Sequence, residues 1–445
     1  MGGLPDICIP GATYPFGMVQ FTPTYFTKQL GFVINQLSGA GCDHMGNFPT
    51  LPIAGALRVS PDSILNMQTP VGKEIGTAGY YAATVDHSIR AELTVTERTG
   101  MARYTFSSKE KQGTVIIGGG VAATPIQVAA IKITGPHSCE GYAEGGAFCG
   151  IPTPYKVYFV AEFDADAESF GTWKEERLHA NHTFAEGSHS GVYFTFPLKE
   201  GNQAVQYKIG VSYVSVENAR ENLRVENPAW DFSAVRQATQ DKWNEYLGKI
   251  EVEGDNEDRQ MQFYTHLYRS LIHPNVCSDV NGEYMGADSQ VHKTARKFYT
   301  SFSNWDTYRT QTALIAMLAP EETSDIVMSH YLFAEQSGGG FPRWVLANIE
   351  TGVMQGDPTP ILVANAYAFG ARTYDPRTLL RTMRYGAEVP GANSQGVLTR
   401  PGWNSIWRKG ITTLRSYWNI HLLILRLAVS PCKPAMMSRF VIGIR

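Results

Sequence analysis

Val205-Gln206-Tyr207-Lys208-Ile209-Gly210-Val211-Ser212-Tyr213 sets an apolar residue at every second position. Side chains along a strand point to opposite faces in turn, so this pattern reads as a half-buried β-strand. Upstream, Ile89, Ala91, Leu93 and Val95 alternate with Arg90, Glu92, Thr94 and Thr96 in the same way. Residues 101–106, 114–117, 155–163 and 192–196 continue the series, punctuated by turn clusters such as Gly118-Gly119-Gly120 and Glu200-Gly201-Asn202. Many strands with no helices between them predict an antiparallel β-sandwich.

The pattern changes near Asn227-Pro228-Ala229-Trp230. Residues 235–247 are helical in composition, and Glu251-Val252-Glu253-Gly254-Asp255 reads as a linker. Met261, Tyr264, Tyr268 and Leu271 then mark a helix closed by Pro274, and residues 322–336 mark another stopped by Gly338-Gly339-Gly340. Thr359-Pro360 and Asp375-Pro376 each place a capping residue before a Pro at the first helical position. The expected order is a β-sandwich over residues 1–228, a helical linker over 229–254, and a toroid of helices from 255 to 402.

The chain has 445 residues, ample for two domains, and its 43% hydrophobic content is ordinary for packed cores. Its formal charge of −3, with no basic run, gives nucleic acid and membrane surfaces no electrostatic footprint. No stretch reaches membrane-spanning length, and Met1-Gly2-Gly3 has neither a charged nor an apolar leader region. The six cysteines form no C-x-x-C pair, which argues against structural zinc. Cys139 and Cys149 flank a Gly-rich loop and can pair if the protein is exported.

Phe302-Ser303-Asn304-Trp305-Asp306-Thr307-Tyr308-Arg309 is the stretch where chemistry is expected. Thr310, Leu314, Met317 and Leu318 behind it recur at helical spacing, which places Trp305, Asp306 and Arg309 near a helix start. An aromatic face beside a fixed carboxylate suits a sugar, whose C–H faces stack on rings while its hydroxyls seek acceptors. The plainer reading is an Asp N-cap with a core Trp.

Further motifs accompany it: residues 11–20, Gly-Ala-Thr-Tyr-Pro-Phe-Gly-Met-Val-Gln; Leu37-Ser38-Gly39-Ala40-Gly41-Cys42; Gly338-Gly339-Gly340-Phe341-Pro342-Arg343-Trp344; and Thr351-Gly352-Val353-Met354-Gln355-Gly356-Asp357. In that order they resemble glycoside hydrolase family 92, the exo-acting α-mannosidases, over about the first 400 residues. The resemblance implies an N-terminal β-sandwich, a C-terminal (α/α)6 barrel, an active site in the cleft between them, a bound calcium ion and inversion at the anomeric carbon. It makes Asp306 a substrate-binding residue for the terminal mannose, with Trp305 beside it. Asp357 either hydrogen-bonds substrate or caps its turn, His44 is a satisfied loop histidine or a ligand, and Trp344 lines a subsite or is buried. Mannose-containing glycans are the implied partners.

The chain also departs from the family. Residues 22–29, Thr-Pro-Thr-Tyr-Phe-Thr-Lys-Gln, replace a Trp-rich segment, so α-1,2 linkage is carried only as the family's commonest preference. The family's general acid, its paired Asp base and its Asn-Glu calcium ligands lie in later barrel helices and have no counterpart before Arg445. No catalytic acid, base or metal ligand is therefore assigned, and the barrel is expected to be incomplete. Met1 falls inside the family's opening pattern, so the parent protein is expected to be periplasmic or secreted. From Trp403 the resemblance stops, and back-translation permits helical strings in a neighbouring frame. A reading-frame shift near Gly402 is the expectation, with residues 403–445 an aberrant tail. The rival readings are a non-catalytic mannose-binding protein and an enzyme of another glycosidic reaction.

Overall fold

The computed structural model describes residues 10–24, 31–62, 71–146, 148–200 and 203–401, with the backbone of Phe440–Gly443. It divides into two compact units, residues 1–243 with 279–281, and residues 244–278 with 282–445. The start of the chain, most of the Thr22–Gln29 loop and the tail from Trp403 up to the Phe440–Gly443 strand lie outside the described residues.

The first unit is a sandwich of two antiparallel sheets. One orders nine strands as Phe184–Glu186, Ile126–Gly135, Ser138–Gly145, Tyr155–Phe163, Ala204–Ser212, Thr99–Thr105, Ile89–Val95, Tyr80–Val85 and Val71–Thr77. The other orders eight, with Thr50–Ala54, Gln112–Gly118, Ser190–Pro197 and Ser169–Lys174 as its fourth to seventh strands. Aromatic rings fill the space between. Phe163 of the first sheet lies 5.0 Å from Phe194 and 4.9 Å from Phe196 of the second, and Phe32 stacks on Tyr104. Such rings bury large apolar areas and supply much of the drive for sheet packing.

The strand Ala204–Ser212 forms where its alternation predicts and sits mid-sheet, but both of its faces are covered rather than one. Helix α1 (Val216–Glu226), capped by the Ser215 hydroxyl accepting from Asn218 N at 3.0 Å, lies across the polar side. Gly210 allows that approach, because a Cβ there would fall on Ala219 O and within 2.8 Å of Leu223 Cβ. Lys208 is consequently buried; its ammonium donates to Asn227 O at 3.1 Å and lies 4.1 Å from the Trp230 ring. Burial pushes its pKa down, against the pull of Glu162 at 3.6 Å.

Asp279, distant in sequence, completes this layer. Its carboxylate accepts from Ser212 Oγ at 2.7 Å, Asn218 Nδ2 at 2.8 Å and Asn222 Nδ2 at 2.6 Å. Burial still raises its pKa despite the three donors.

The Cys139–Cys149 pairing is corrected. Cys149 bonds Cys42 across 107 residues of sequence, and Cys139 is a free, buried thiol. Alternation along Ser138–Gly145 turns Cys139 into the core, whereas Cys149 stands on an exposed turn.

Helix α2 (Phe232–Leu247) straddles the division between the units. In the second unit, Ile250–Glu253 is a strand where a linker was expected, and it runs parallel to Phe440–Gly443. The helices follow as α3 (Glu257–Ser270), α4 (Asn304–Thr307), α5 (Gln311–Leu318), α6 (Pro320–Ser337), α7 (Thr359–Phe369) and α8 (Pro376–Glu388). Helices α5 to α8 share a core that includes Ala316, Val327, Phe341, Val363 and Leu379, while Leu267 of α3 packs with Ile250, Val252 and Leu318. Among the described residues these helices do not close a ring.

Gly338, at φ 118°, ends α6 in the left-handed conformation that glycine adopts without strain. Asp375 caps α8 by accepting from Arg377 N at 3.0 Å. Thr359 does not cap α7; Pro358 takes that place, and the Thr359 hydroxyl turns to Pro342 O instead.

Gly210→Ala should lower the stability of the sandwich by about 1–3 kcal/mol through overpacking against α1. Chemical denaturation of the two proteins checks this, with Gly119→Ala, which meets only a side chain at 3.0 Å, as the milder comparison.

Candidate functional site

A small antiparallel sheet in the second unit joins the motifs. Phe302–Ser303 pairs with Trp344–Leu346, and that strand turns back through Ala347 and Asn348 into Ile349–Glu350. The Glu350 carboxylate is buried and accepts from the backbone N–H of Arg343 at 2.5 Å, Gly352 at 2.8 Å and Trp344 at 3.3 Å. Burial raises its pKa, and those three donors oppose the rise.

Arg343 answers from the other side. Its guanidinium donates to four backbone carbonyls: Gly356 at 2.8 Å, Leu398 at 3.1 Å, Met354 at 3.2 Å and Gly352 at 3.3 Å. The Gly-Gly-Gly-Phe-Pro-Arg-Trp and Thr-Gly-Val-Met-Gln-Gly-Asp motifs are thus one hydrogen-bonded body. Asp357 follows this loop, lining a small pocket with Phe341, Arg343, Glu350 and Thr399. It is buried, and Arg400 donates to its Oδ2 from both Nε and Nη2 at 2.9 Å. Burial raises the Asp357 carboxyl pKa even against that guanidinium. Its carboxylate does not cap the turn, which corrects that alternative.

The Trp-Asp stretch springs from this body. Asn304 opens the short helix α4 and is buried, with Nδ2 donating to Thr359 Oγ1 at 2.7 Å and Pro342 O at 3.1 Å. Its Oδ1 lies 3.0 Å from Nε2 of His330, whose ring stacks on Phe302 with centroids 3.7 Å apart. The next two residues face solvent. Trp305 is 45% exposed, and the Asp306 carboxylate is exposed and accepts a hydrogen bond from Ser303 Oγ. The plainer reading of this stretch is therefore overturned: Trp305 is not core, and Asp306 lies within the helix rather than at its cap. Arg309 is also exposed and donates to its neighbour Tyr308 Oη at 2.9 Å.

Trp344 is buried. In the first unit, His44 is fully buried as a loop histidine, with Nε2 accepting from Leu37 N at 2.7 Å and Nδ1 2.6 Å from Cys42 O. His330 and Glu350 were not singled out from sequence; Asn304 and Arg343 stood in the quoted motifs without a role, and Thr359 was read only as a cap. His330 carried one faint signal, an imidazole on an apolar helix face beside Ile326, Phe333 and Ala334. No cluster of three or more His, Cys, Asp or Glu side chains suited to a metal occurs among the described residues. No described residue is assigned to the expected calcium ion, and no step is derived through it.

Two sequence models match nearly end to end: the glycosyl hydrolase family 92 N-terminal domain over residues 6–212 and the family 92 catalytic domain over residues 218–419. The chain belongs to glycoside hydrolase family 92. Among curated proteins, the chain is similar to an uncharacterized secreted glycosidase of Arthroderma benhamiae, 27% identical over 68% of this chain and 43% of that protein. Among solved structures, the family 92 α-mannosidase BT3965 from Bacteroides thetaiotaomicron superposes with a TM-score of 0.79 at 23% identity, over 86% of this chain and 55% of that one. The inverting family 92 mannosidase BT2199 of the same organism gives 0.78 at 23% identity, over 90% and 55%. The chain therefore spans about half the length of these relatives, and the fold is what it shares with them.

His330 gives this site a pH signature. Burial pushes its pKa down to about 4 from 6.5. Its two ring nitrogens face two acceptor oxygens, Nδ1 at 2.7 Å from Ile326 O and Nε2 at 3.0 Å from Asn304 Oδ1, and the neutral ring has one N–H to place between them. Below pH 6.5 the unfolded chain takes up a proton that the folded ring refuses until about pH 4. The His330 contribution is therefore complete above pH 6.5 and falls by about 3 kcal/mol as the pH drops through that window. His330→Gln should remove this part of the dependence in denaturation curves taken at successive pH values.

Proposed function

We propose that this chain carries the mannoside-recognising part of a calcium-dependent, inverting exo-α-mannosidase of family 92, acting on mannose-containing glycans with an α-1,2 preference. The observation that carries the reading is the exposed Trp305–Asp306 pair on a turn whose base is buried. A pyranose can lay its C–H face on the indole while its hydroxyls donate to the carboxylate. One structure of BT3965 is a complex with mannoimidazole, which supports a mannose-like ligand here. In this reading Asp306 and Trp305 touch the terminal sugar. Asp357 is carried in the same reading as a further substrate-binding residue, its carboxylate paired with Arg400.

Inverting hydrolysis needs an acid to protonate the leaving oxygen and a carboxylate to activate water on the opposite face of the ring. Neither role is given to a residue of this chain, and Asp306 with Asp357 is not such a pair, because Asp357 is buried against a guanidinium. Calcium belongs to the proposed reaction through the family resemblance alone. A periplasmic or secreted setting is part of the same proposal, supported by the Cys42–Cys149 bond and by the secreted relative. A second reading, mannoside binding without cleavage, draws on the same exposed Trp305–Asp306 pair, to which no acid or base role is given.

Mannosidase assays and calorimetry with methyl α-mannoside on the full chain separate the two. Binding with cleavage supports the enzyme, binding alone supports the second reading, and neither refutes both. Asp306→Ala should lose roughly 2–4 kcal/mol of mannoside binding by orphaning a sugar hydroxyl. Unchanged affinity in that variant would remove Asp306 from the site.

A further inference from the structure

A four-residue helix such as α4 has too few internal hydrogen bonds to hold its own orientation. The exposed Trp305 and Asp306 must therefore take their direction from whatever grips the turn at its base. That grip falls on Asn304, which is 1% exposed. Its backbone N–H donates to Arg343 O at 3.3 Å, and its side-chain nitrogen donates to Pro342 O and Thr359 Oγ1. Thr359 in turn donates to the same Pro342 carbonyl, closing a ring of three groups. His330, from α6, backs the amide oxygen at 3.0 Å. Three separate segments thus converge on one amide, directly before the two exposed residues in sequence.

We infer that Asn304 is the positioning residue of the sugar-contacting turn, with Thr359 as the partner that fixes its amide. The inference rests on the reading of Trp305 and Asp306 as mannoside contacts, and it adds the group that aims them. Asn304 itself is buried beneath the turn and is assigned no contact with the sugar. A purely structural Asn304 would stabilise the unit without governing the direction of Trp305.

The test uses the full chain labelled with 5-fluorotryptophan, the Trp305 resonance being assigned by its loss in Trp305→Phe. Thr359→Val removes the hydroxyl with little change of shape, Thr359→Ser restores it, and Asn304→Ala removes the amide. Each variant is followed by the Trp305 fluorine resonance, by thermal melting and by calorimetry with methyl α-mannoside. The expected result is a shifted or broadened Trp305 signal in Thr359→Val and Asn304→Ala, with at least a tenfold loss of mannoside affinity and recovery of both in Thr359→Ser. A lower melting temperature with the Trp305 signal unmoved overturns the inference and leaves Asn304 a structural residue. If Asn304→Ala does not fold, Thr359→Val and Thr359→Ser decide by the same criteria. If the parent chain binds no mannoside, the proposed function fails on that result, while movement and rescue of the Trp305 signal still support the positioning role and a fixed signal still overturns it.

Discussion

A guanidinium bonded only to backbone carbonyls holds the second unit's motif loops in place. Strand and helix ladders satisfy their own peptide groups, but the Gly352–Gly356 loop has no such ladder and takes its donors from elsewhere, while a buried guanidinium without acceptors is costly. Arg343 supplies those donors from a single planar group, and Glu350 supplies the matching acceptor for three backbone N–H groups on the return. The two side chains act as a portable piece of secondary structure. Lysine cannot replace the arginine, because one ammonium does not reach four carbonyls spread across a plane. Pro342, held next to Arg343, then presents the carbonyl on which Asn304 and Thr359 meet.

The same economy runs through the sandwich, by a different route. Covering the outer face of Ala204–Ser212 with α1 buries Lys208 and Ser212 along with the apolar residues. Each polar group has a local answer: a carbonyl and an indole face for the lysine, and Asp279 for the serine and two asparagines. Asp279 therefore links the strand to the helix that covers it, although it enters from a segment far along the chain. Its raised pKa shows that desolvation exceeds what three donors return.

Period-two alternation located the strands because it reports directly which side chains face the core. It did not show that Lys208 is buried, since a covering helix leaves no mark on the strand beneath beyond a glycine such as Gly210. Helix stops and caps at Gly338 and Asp375 were legible because their chemistry is local. Thr359 misled for the converse reason: a hydroxyl before a proline suits a cap, but Pro342 and Asn304, distant in sequence, claim it. Trp305 and Asp306 were singled out from residue type and motif, and the structure exposes both. The grip beneath them was invisible, because it depends on contacts spanning 26 to 55 residues that no spacing rule encodes.

The bond between Cys42 and Cys149 closes a covalent circle around much of the first unit. Within that circle lie the strands from Thr50–Ala54 to Ser138–Gly145, drawn from both sheets. A single peptide-bond break anywhere between the two cysteines would leave the molecule in one covalent piece, with both sheets still joined through sulfur. In a protease-rich surrounding, that makes the sandwich tolerant of nicks that would separate an unbridged chain into fragments.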